Sequence, residues 1–355
     1  MSIPESDGGL LEETLTRLFS ELSDAEARQA AESAGWMPDC WDSMEEAGLI
    51  WIGVPEAVGG SGGDLGDVCT LIRVAGRHAV PLPLSECSLI GGWLSALAGL
   101  HLPNGPLTAA IPRAGDTLEL EGNVLRGRLS RVPWARQAAA VAAVAEGPFG
   151  PQVVLIDPTQ VTVIPGHNLA GEPRDTFHVD GATLGNGQIG TPPLDPRPEL
   201  MLRGGLSRAL LIAGALETVA AMTIDYARQR RQFGKAIATF QAVAQRLVLM
   251  SAESEAAAMA AEVAARRFAH VGVEAAFEVA AAKATASRAA SAVAAHAHQV
   301  LAAVGMTQEH PLHHFTRRLW TWRQEWGAES YWSETLGRQV ITSGADSLWN
   351  RLANP

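Results

Sequence analysis

Between residues 226 and 241 the chain reads Tyr226-Ala-Arg-Gln-Arg-Arg-Gln-Phe-Gly-Lys-Ala-Ile-Ala-Thr-Phe-Gln241, with Arg228, Arg230, Arg231 and Lys235 set around Phe233 and Gly234. Guanidinium groups present planar donor forks that match the oxygens of a diphosphate. Gln232 adds an amide, and Phe233 offers an apolar face for a flat ring. Gly234 permits a sharp backbone bend. On residue chemistry alone the segment is either an anion site or a solvated helix corner.

Three other clusters carry less. Gly59-Gly60-Ser61-Gly62-Gly63 fits neither G-x-G-x-x-G nor a phosphate loop with its lysine, so the run reads as a turn. His310, His313 and His314 include an i, i+3 pair, but no nearby Cys or acidic residue completes a metal spacing. Packing or an interface is their reading, and no metal is expected. Trp322 and Trp326 stand four apart, as on one helix face, so together with Trp320 they read as helix packing rather than a stacking platform.

These residues must be held by a folded body. The chain has 355 residues, 47% hydrophobic and 18% charged, enough apolar content for a real core. Its 38 acidic residues against 27 basic give a net charge of −11, which excludes a generic nucleic-acid binder. No uninterrupted apolar stretch reaches the roughly 18 residues of a membrane span. The start Met1-Ser-Ile-Pro-Glu has neither the basic nor the apolar run of a signal peptide, so a cytoplasmic location is expected. Cys40, Cys69 and Cys87 are too few and too scattered for a disulfide framework or a zinc site.

Hydrophobic spacing divides the text in three. Leu11, Leu15, Leu18 and Leu22 mark one helix face near the start. Short runs around Val124-Leu125, Val141 to Ala145, Val153 to Ile156 and Val161 to Ile164, broken by Gly, Pro and Asp, read as strands. Ile212, Leu216 and Val219, then Val243, Leu247 and Met250, restore helical spacing, and Ala256 to Ala295 is alanine-rich enough for close helix packing. The expectation is an α+β chain: a helical domain over 1–102, a middle β domain over 103–195 and a helical bundle over 196–355. That order argues against a doubly wound parallel sheet. The alanine-rich helices and the aromatic stretch from Trp320 to Trp332 also predict an oligomer packed through the bundle.

Arg230-Arg-Gln-Phe-Gly-Lys235, followed by Phe240-Gln241, resembles the signature of the acyl-CoA dehydrogenase family. Trp51-Ile-Gly-Val-Pro-Glu-Ala-Val-Gly-Gly60 resembles its N-terminal turn, and Glu121-Gly-Asn-Val-Leu-Arg-Gly127 a strand of its middle domain. Gln299-Val-Leu-Ala-Ala-Val-Gly305 and Glu309-His-Pro-Leu-His-His resemble its late motif. The resemblance implies a helical N-terminal domain, a small β-barrel middle domain and a C-terminal four-helix bundle. It implies FAD as cofactor and an acyl-CoA thioester as substrate, in lipid or steroid catabolism, with an electron-transfer flavoprotein as an onward partner. In that chemistry a carboxylate removes the α-proton and the β-hydrogen leaves as hydride to the flavin, which sits between the middle domain and the bundle. It further implies that Arg230, Gln232, Phe233 and Gly234 reach an adjoining subunit's FAD, with Gln299 and Gly305 near the same end.

The departures from that pattern concern the chemistry. The resemblance puts the family's base, a Glu directly before a Gly, at Trp326-Gly327. Glu325 is one residue away, and one helical step turns a side chain through about 100°. The family's alternative base position falls near Gly204, with no carboxylate, and Glu217 lies about three turns along. The Glu-Pro…Ala-Gly-Ser-Asp motif is absent around Ile111 to Thr117, Arg131-Val-Pro133 stands where the family has Trp-Ile-Thr, and Ala302-Ala303 replaces a double glycine. Glu325 is therefore the one catalytic candidate beside an otherwise unassigned base. The sequence leaves a working dehydrogenase, a non-catalytic subunit completing a partner's FAD site in a hetero-oligomer, and a flavin-free scaffold as readings.

Overall fold

The computed structural model describes residues 8–344 and 348–349. The chain forms two compact units. The first comprises the described residues up to Leu71 with Val80–Arg203, the second Ile72–Ala79 with the described residues from Gly204 on.

The first unit opens with helices α1 (Gly8–Leu22), α2 (Ala25–Ala34), α3 (Pro38–Glu46) and the first half of α4 (Leu65–Arg77). Leu15 and Phe19 bury the apolar face of α1. Asp24 caps α2 by accepting from the Ala27 N–H at 2.8 Å. The glycine run is a turn, closed by Gly53 N–H to Gly62 O at 2.6 Å and Gly62 N–H to Val54 O at 2.9 Å. One π-helical stretch, Glu86–Gly92, leads into the short α5 (Trp93–Leu97).

Eight strands follow: β1 (Leu107–Ala110), β2 (Leu118–Glu121), β3 (Val124–Pro133), β4 (Ala140–Gly147), β5 (Gly150–Ile156), β6 (Thr162–Ile164), β7 (Arg174–Thr183) and β8 (Ile189–Gly190). They make one mixed sheet in the order β6-β7-β3-β2-β4-β5-β8, with β1 parallel to β4. Alternation is clean on β2, whose Leu118 and Leu120 enter a core with Leu125, Leu129, Val154 and Phe177. β4 is buried over its first six residues, as expected of a strand covered on both faces.

The second unit takes the second half of α4 from Ile72 and the long helices α6 (Arg197–Gln229), which begins in the first unit, α7 (Gln241–Val271) and α8 (Ala276–Leu301), then α9 (Leu312–Trp322) and α10 (Glu329–Ser343). Ala257, Ala261 and Ala264 of α7 and Ala282, Ala286, Ala289 and Ala294 of α8 are buried, the small side chains that let helices approach. α6 is the single helix among the described residues long and apolar enough to cross a membrane by length and composition, and 61% of its apolar window is buried within the protein.

Two expectations need correction. Trp326 does not share a helix face with Trp322: α9 ends at Trp322, and Trp326 lies beyond it with φ 53°. The aromatic stretch also supplies less surface than expected, because Trp322, Trp326 and Trp332 are buried and only Trp320 and Tyr331 of these are exposed. Further exposed apolar side chains lie on α7, at Val248, Leu249, Met259 and Val263.

Candidate functional site

The basic segment folds as a two-residue hairpin, where the sequence predicts only a bend. β9 (Arg231–Gln232) pairs antiparallel with β10 (Lys235–Ala236). Phe233 and Gly234 form the loop with φ 52° and 81°. Positive φ at both loop positions defines a turn of the type favoured by hairpin twist. A phenylalanine there is strained, and such strain collects at binding sites. Its ring is 91% exposed and meets Phe240 edge-on at 6.1 Å, while the Lys235 ammonium lies 4.5 Å from the Phe240 ring. Arg230 is anchored through its backbone: its N–H donates to Tyr226 O at 2.8 Å and its carbonyl accepts from Ile237 N–H at 2.8 Å. The side chains of Arg230, Arg231 and Gln232 stay exposed. A fixed backbone under exposed guanidinium and amide groups, with an aromatic tip, fits the diphosphate and flat rings of FAD.

Gln299 and Gly305 lie at a second place, the end of α8 and the turn after it. Gln299 is exposed, whereas Gly305 is buried, and a Cβ there would stand 2.8 Å from Leu301 Cβ. A histidine group surrounds this turn. His298 Nε2 and Thr316 Oγ1 are 3.0 Å apart, and His310 Nδ1 accepts from Leu312 N–H at 3.2 Å. The His313 and His314 ring centroids lie 4.0 Å apart, with the planes tilted by 49°. Burial, with His313 and His298 nearby, holds His310 below the ordinary histidine range. Tyr226, at the root of the hairpin, meets His310 edge-on at 6.3 Å and so links the two places.

At the position implied for the base, the structure shows packing. The Trp326 indole lies directly on Gly204, where a Cβ would fall 2.0 Å from its Cδ2. Gly205 likewise accommodates Trp332, whose Nε1–H donates to Trp326 O at 2.9 Å. Glu325 is buried and engaged: Arg208 Nε–H donates to its Oε2 at 2.8 Å. One oxygen of this carboxylate is thus committed to a buried guanidinium. Glu217 is also committed, accepting from Arg77 Nε–H at 3.0 Å.

Sequence reasoning missed Arg208 and Lys283. Lys283 Nζ donates to Ser287 Oγ at 3.0 Å, Arg323 O at 3.1 Å and Gly327 O at 2.9 Å. Burial, reinforced by Arg208, pushes its ammonium down to about 7 against the opposing pull of Glu325. The signal was a lone lysine in an alanine run, Ala280-Ala-Ala-Lys283-Ala.

In the first unit, Arg131 sits in a bulge of β3 with φ 57°, where the register to β7 shifts between Leu129 and Val132. Arg131 is exposed, while Val132, Pro133 and Trp134 are buried, and the Arg174 guanidinium lies 4.7 Å over the Trp134 ring. The three cysteines are free and buried, and burial raises Cys40 and Cys69 to about 12, so they are poor nucleophiles.

The sheet, the helical unit and the hairpin together describe one family of folds, and comparison with known proteins agrees. Residues 6–97 match the acyl-CoA dehydrogenase N-terminal domain and residues 201–340 its C-terminal domain. The chain belongs to the acyl-CoA dehydrogenase family. It is 28% identical over 247 residues to acyl-CoA dehydrogenase IpdE2 of Mycobacterium tuberculosis, covering 69% of this chain and 71% of that one. To acyl-CoA dehydrogenase FadE28 of the same organism it is 26% identical over 319 residues, covering 84% and 91%. A crystal structure of the ChsE4-ChsE5 complex from M. tuberculosis shares the fold with a TM-score of 0.86 at 22% identity, covering 96% of this chain and 99% of that one.

Proposed function

We propose that this chain is the non-catalytic member of a hetero-oligomeric acyl-CoA dehydrogenase in the cytoplasm, contributing to a FAD site that a catalytic partner chain completes. The observation that carries this reading is the Trp326 ring on Gly204, with Glu325 engaged by Arg208, at both positions where the family's base is expected. FAD, when bound, supplies the hydride acceptor for an acyl-CoA thioester held by the partner. Arg230 and Arg231 offer charge-assisted donors to its diphosphate, Gln232 an amide donor and acceptor, and Phe233 a ring for stacking. Gln299 and the Gly305 turn complete this chain's contribution. The exposed apolar side chains of α7 support a helical contact with the partner.

The deciding experiment purifies the chain alone and together with an acyl-CoA dehydrogenase-like chain that carries Glu before Gly. Flavin absorbance and acyl-CoA-dependent reduction of an electron acceptor are then measured. Little turnover is expected from the lone chain and clear turnover from the pair. Robust turnover by the lone chain refutes the reading and restores the homo-oligomeric dehydrogenase.

In the pair, Arg230→Ala is expected to weaken flavin retention by about 1.5–3 kcal/mol, the range for a hydrogen bond to a charged group. That is roughly ten- to hundredfold in affinity. Flavin titration of the apo-assembly checks it, and an unchanged affinity removes Arg230 from the site.

A further inference from the structure

The second unit contains a buried charged group that the cofactor reading does not use: Arg208 on α6, Lys283 on α8, and Glu325 on the turn after α9. Arg208 and Lys283 are essentially without exposure. Arg208 engages the Glu325 side chain, whereas Lys283 engages the backbone of the same turn at both ends, Arg323 O and Gly327 O. Between those two carbonyls stands Trp326. The Arg323 side chain points elsewhere, donating to Ser291 Oγ and stacking at 4.2 Å on Trp320. Among the described residues, the charged groups acting on Lys283 are Arg208 and Glu325.

We infer that Lys283 is the positioning residue of the 323–327 turn, that it seats Trp326 on Gly204 through its two backbone contacts, and that loss of its proton slackens the seat. This deepens the reading of a closed base position and rests on it only for where Trp326 sits.

Donor count sets this dependence on the proton. An ammonium has three N–H donors, and three acceptors surround Nζ. A neutral amine has two donors. Ser287 Oγ also reaches Arg323 O at 3.3 Å, so that carbonyl keeps a donor when the proton leaves to solvent. Gly327 O, bonded to Nζ at 2.9 Å, is the contact the amine can drop. Gly327 directly follows Trp326, and both have positive φ, 91° and 53°. Glycine takes positive φ freely, so the strain lies at Trp326, and a strained residue held from outside relaxes when its holder weakens. Charge loss at Lys283 also changes the field around the Arg208–Glu325 pair, whose other end is fixed to the same turn.

The test uses the full chain labelled with 5-fluorotryptophan, read by fluorine NMR. The ten tryptophans give one resonance each, and Trp326→Phe identifies the one that matters. In the wild-type chain the Trp326 resonance is expected to move in a single step centred near pH 7, with the Trp51 and Trp93 resonances as controls. Lys283→Met is expected to abolish the step, and Lys283→Arg to hold the resonance at its low-pH position throughout. Absence of the step in the wild type, or its persistence in Lys283→Met, overturns the inference. Should Lys283→Met fail to fold, Ser287→Ala removes one acceptor of the ammonium and is expected to move the midpoint down; an unchanged midpoint then overturns it. The lone-chain turnover assay has no bearing on this resonance, so the two proposals fail separately.

Discussion

Replacing Glu325 with alanine is expected to destabilise the second unit by about 3–5 kcal/mol, the cost of leaving one member of a buried ion pair without its partner. The Arg208 side chain is 1% exposed and the Glu325 side chain 7%. Removing the carboxylate strands a guanidinium beside the Lys283 ammonium, two like charges without the acid that compensates them. The loss should therefore be larger than for an exposed pair such as Arg338–Glu334, where about 0–1 kcal/mol is at stake. Glu325→Gln keeps an acceptor and should fall between. Urea midpoints of the variants measure the order. A Glu325→Ala loss below about 1 kcal/mol would show that the pair is hydrated rather than buried. The same Glu325→Gln change in the catalytic pair is expected to leave turnover intact, since a structural carboxylate takes no proton from substrate.

The second large effect is a reversal of sign. Gly204→Ala is expected to destabilise by about 1–3 kcal/mol, because its new methyl meets the Trp326 ring within contact distance and overfills the site. Trp326→Ala alone is expected to cost about 3–5 kcal/mol through the cavity it leaves. In that truncated background Gly204→Ala should become stabilising by up to about 1 kcal/mol, since alanine is the better helix former and the obstruction is gone. A double-mutant cycle by denaturant titration measures this coupling. Additive effects would mean that Trp326 and Gly204 do not touch.

The order of elements was legible because it is written locally. The leucine spacing of α1, the short apolar runs of β3 to β6 and the alanine content of α7 and α8 each act within a few residues. The hairpin at Phe233-Gly234 was legible only as a bend, since phenylalanine at positive φ contradicts the usual preference of that turn. The base position was legible as a departure from a family pattern, but its filling was not. Arg208 and Glu325 are 117 positions apart, and nothing in the local text of either says that the other neutralises it. Nothing in the local text marks Lys283 as buried, because charge in an alanine run is ordinarily solvated. Its burial follows from where the turn after α9 returns, a property of the packed chain.

The contact between Trp326 and Gly204 also governs how this chain can change by mutation. A glutamate at 204 has no room while the indole remains, and a glutamate at 326 opens a void over Gly204 and adds a carboxylate beside one that Arg208 already holds. Each substitution made alone lowers stability. Placing a carboxylate at either position without loss of stability therefore takes two coordinated substitutions, so the packing itself resists single changes at this contact.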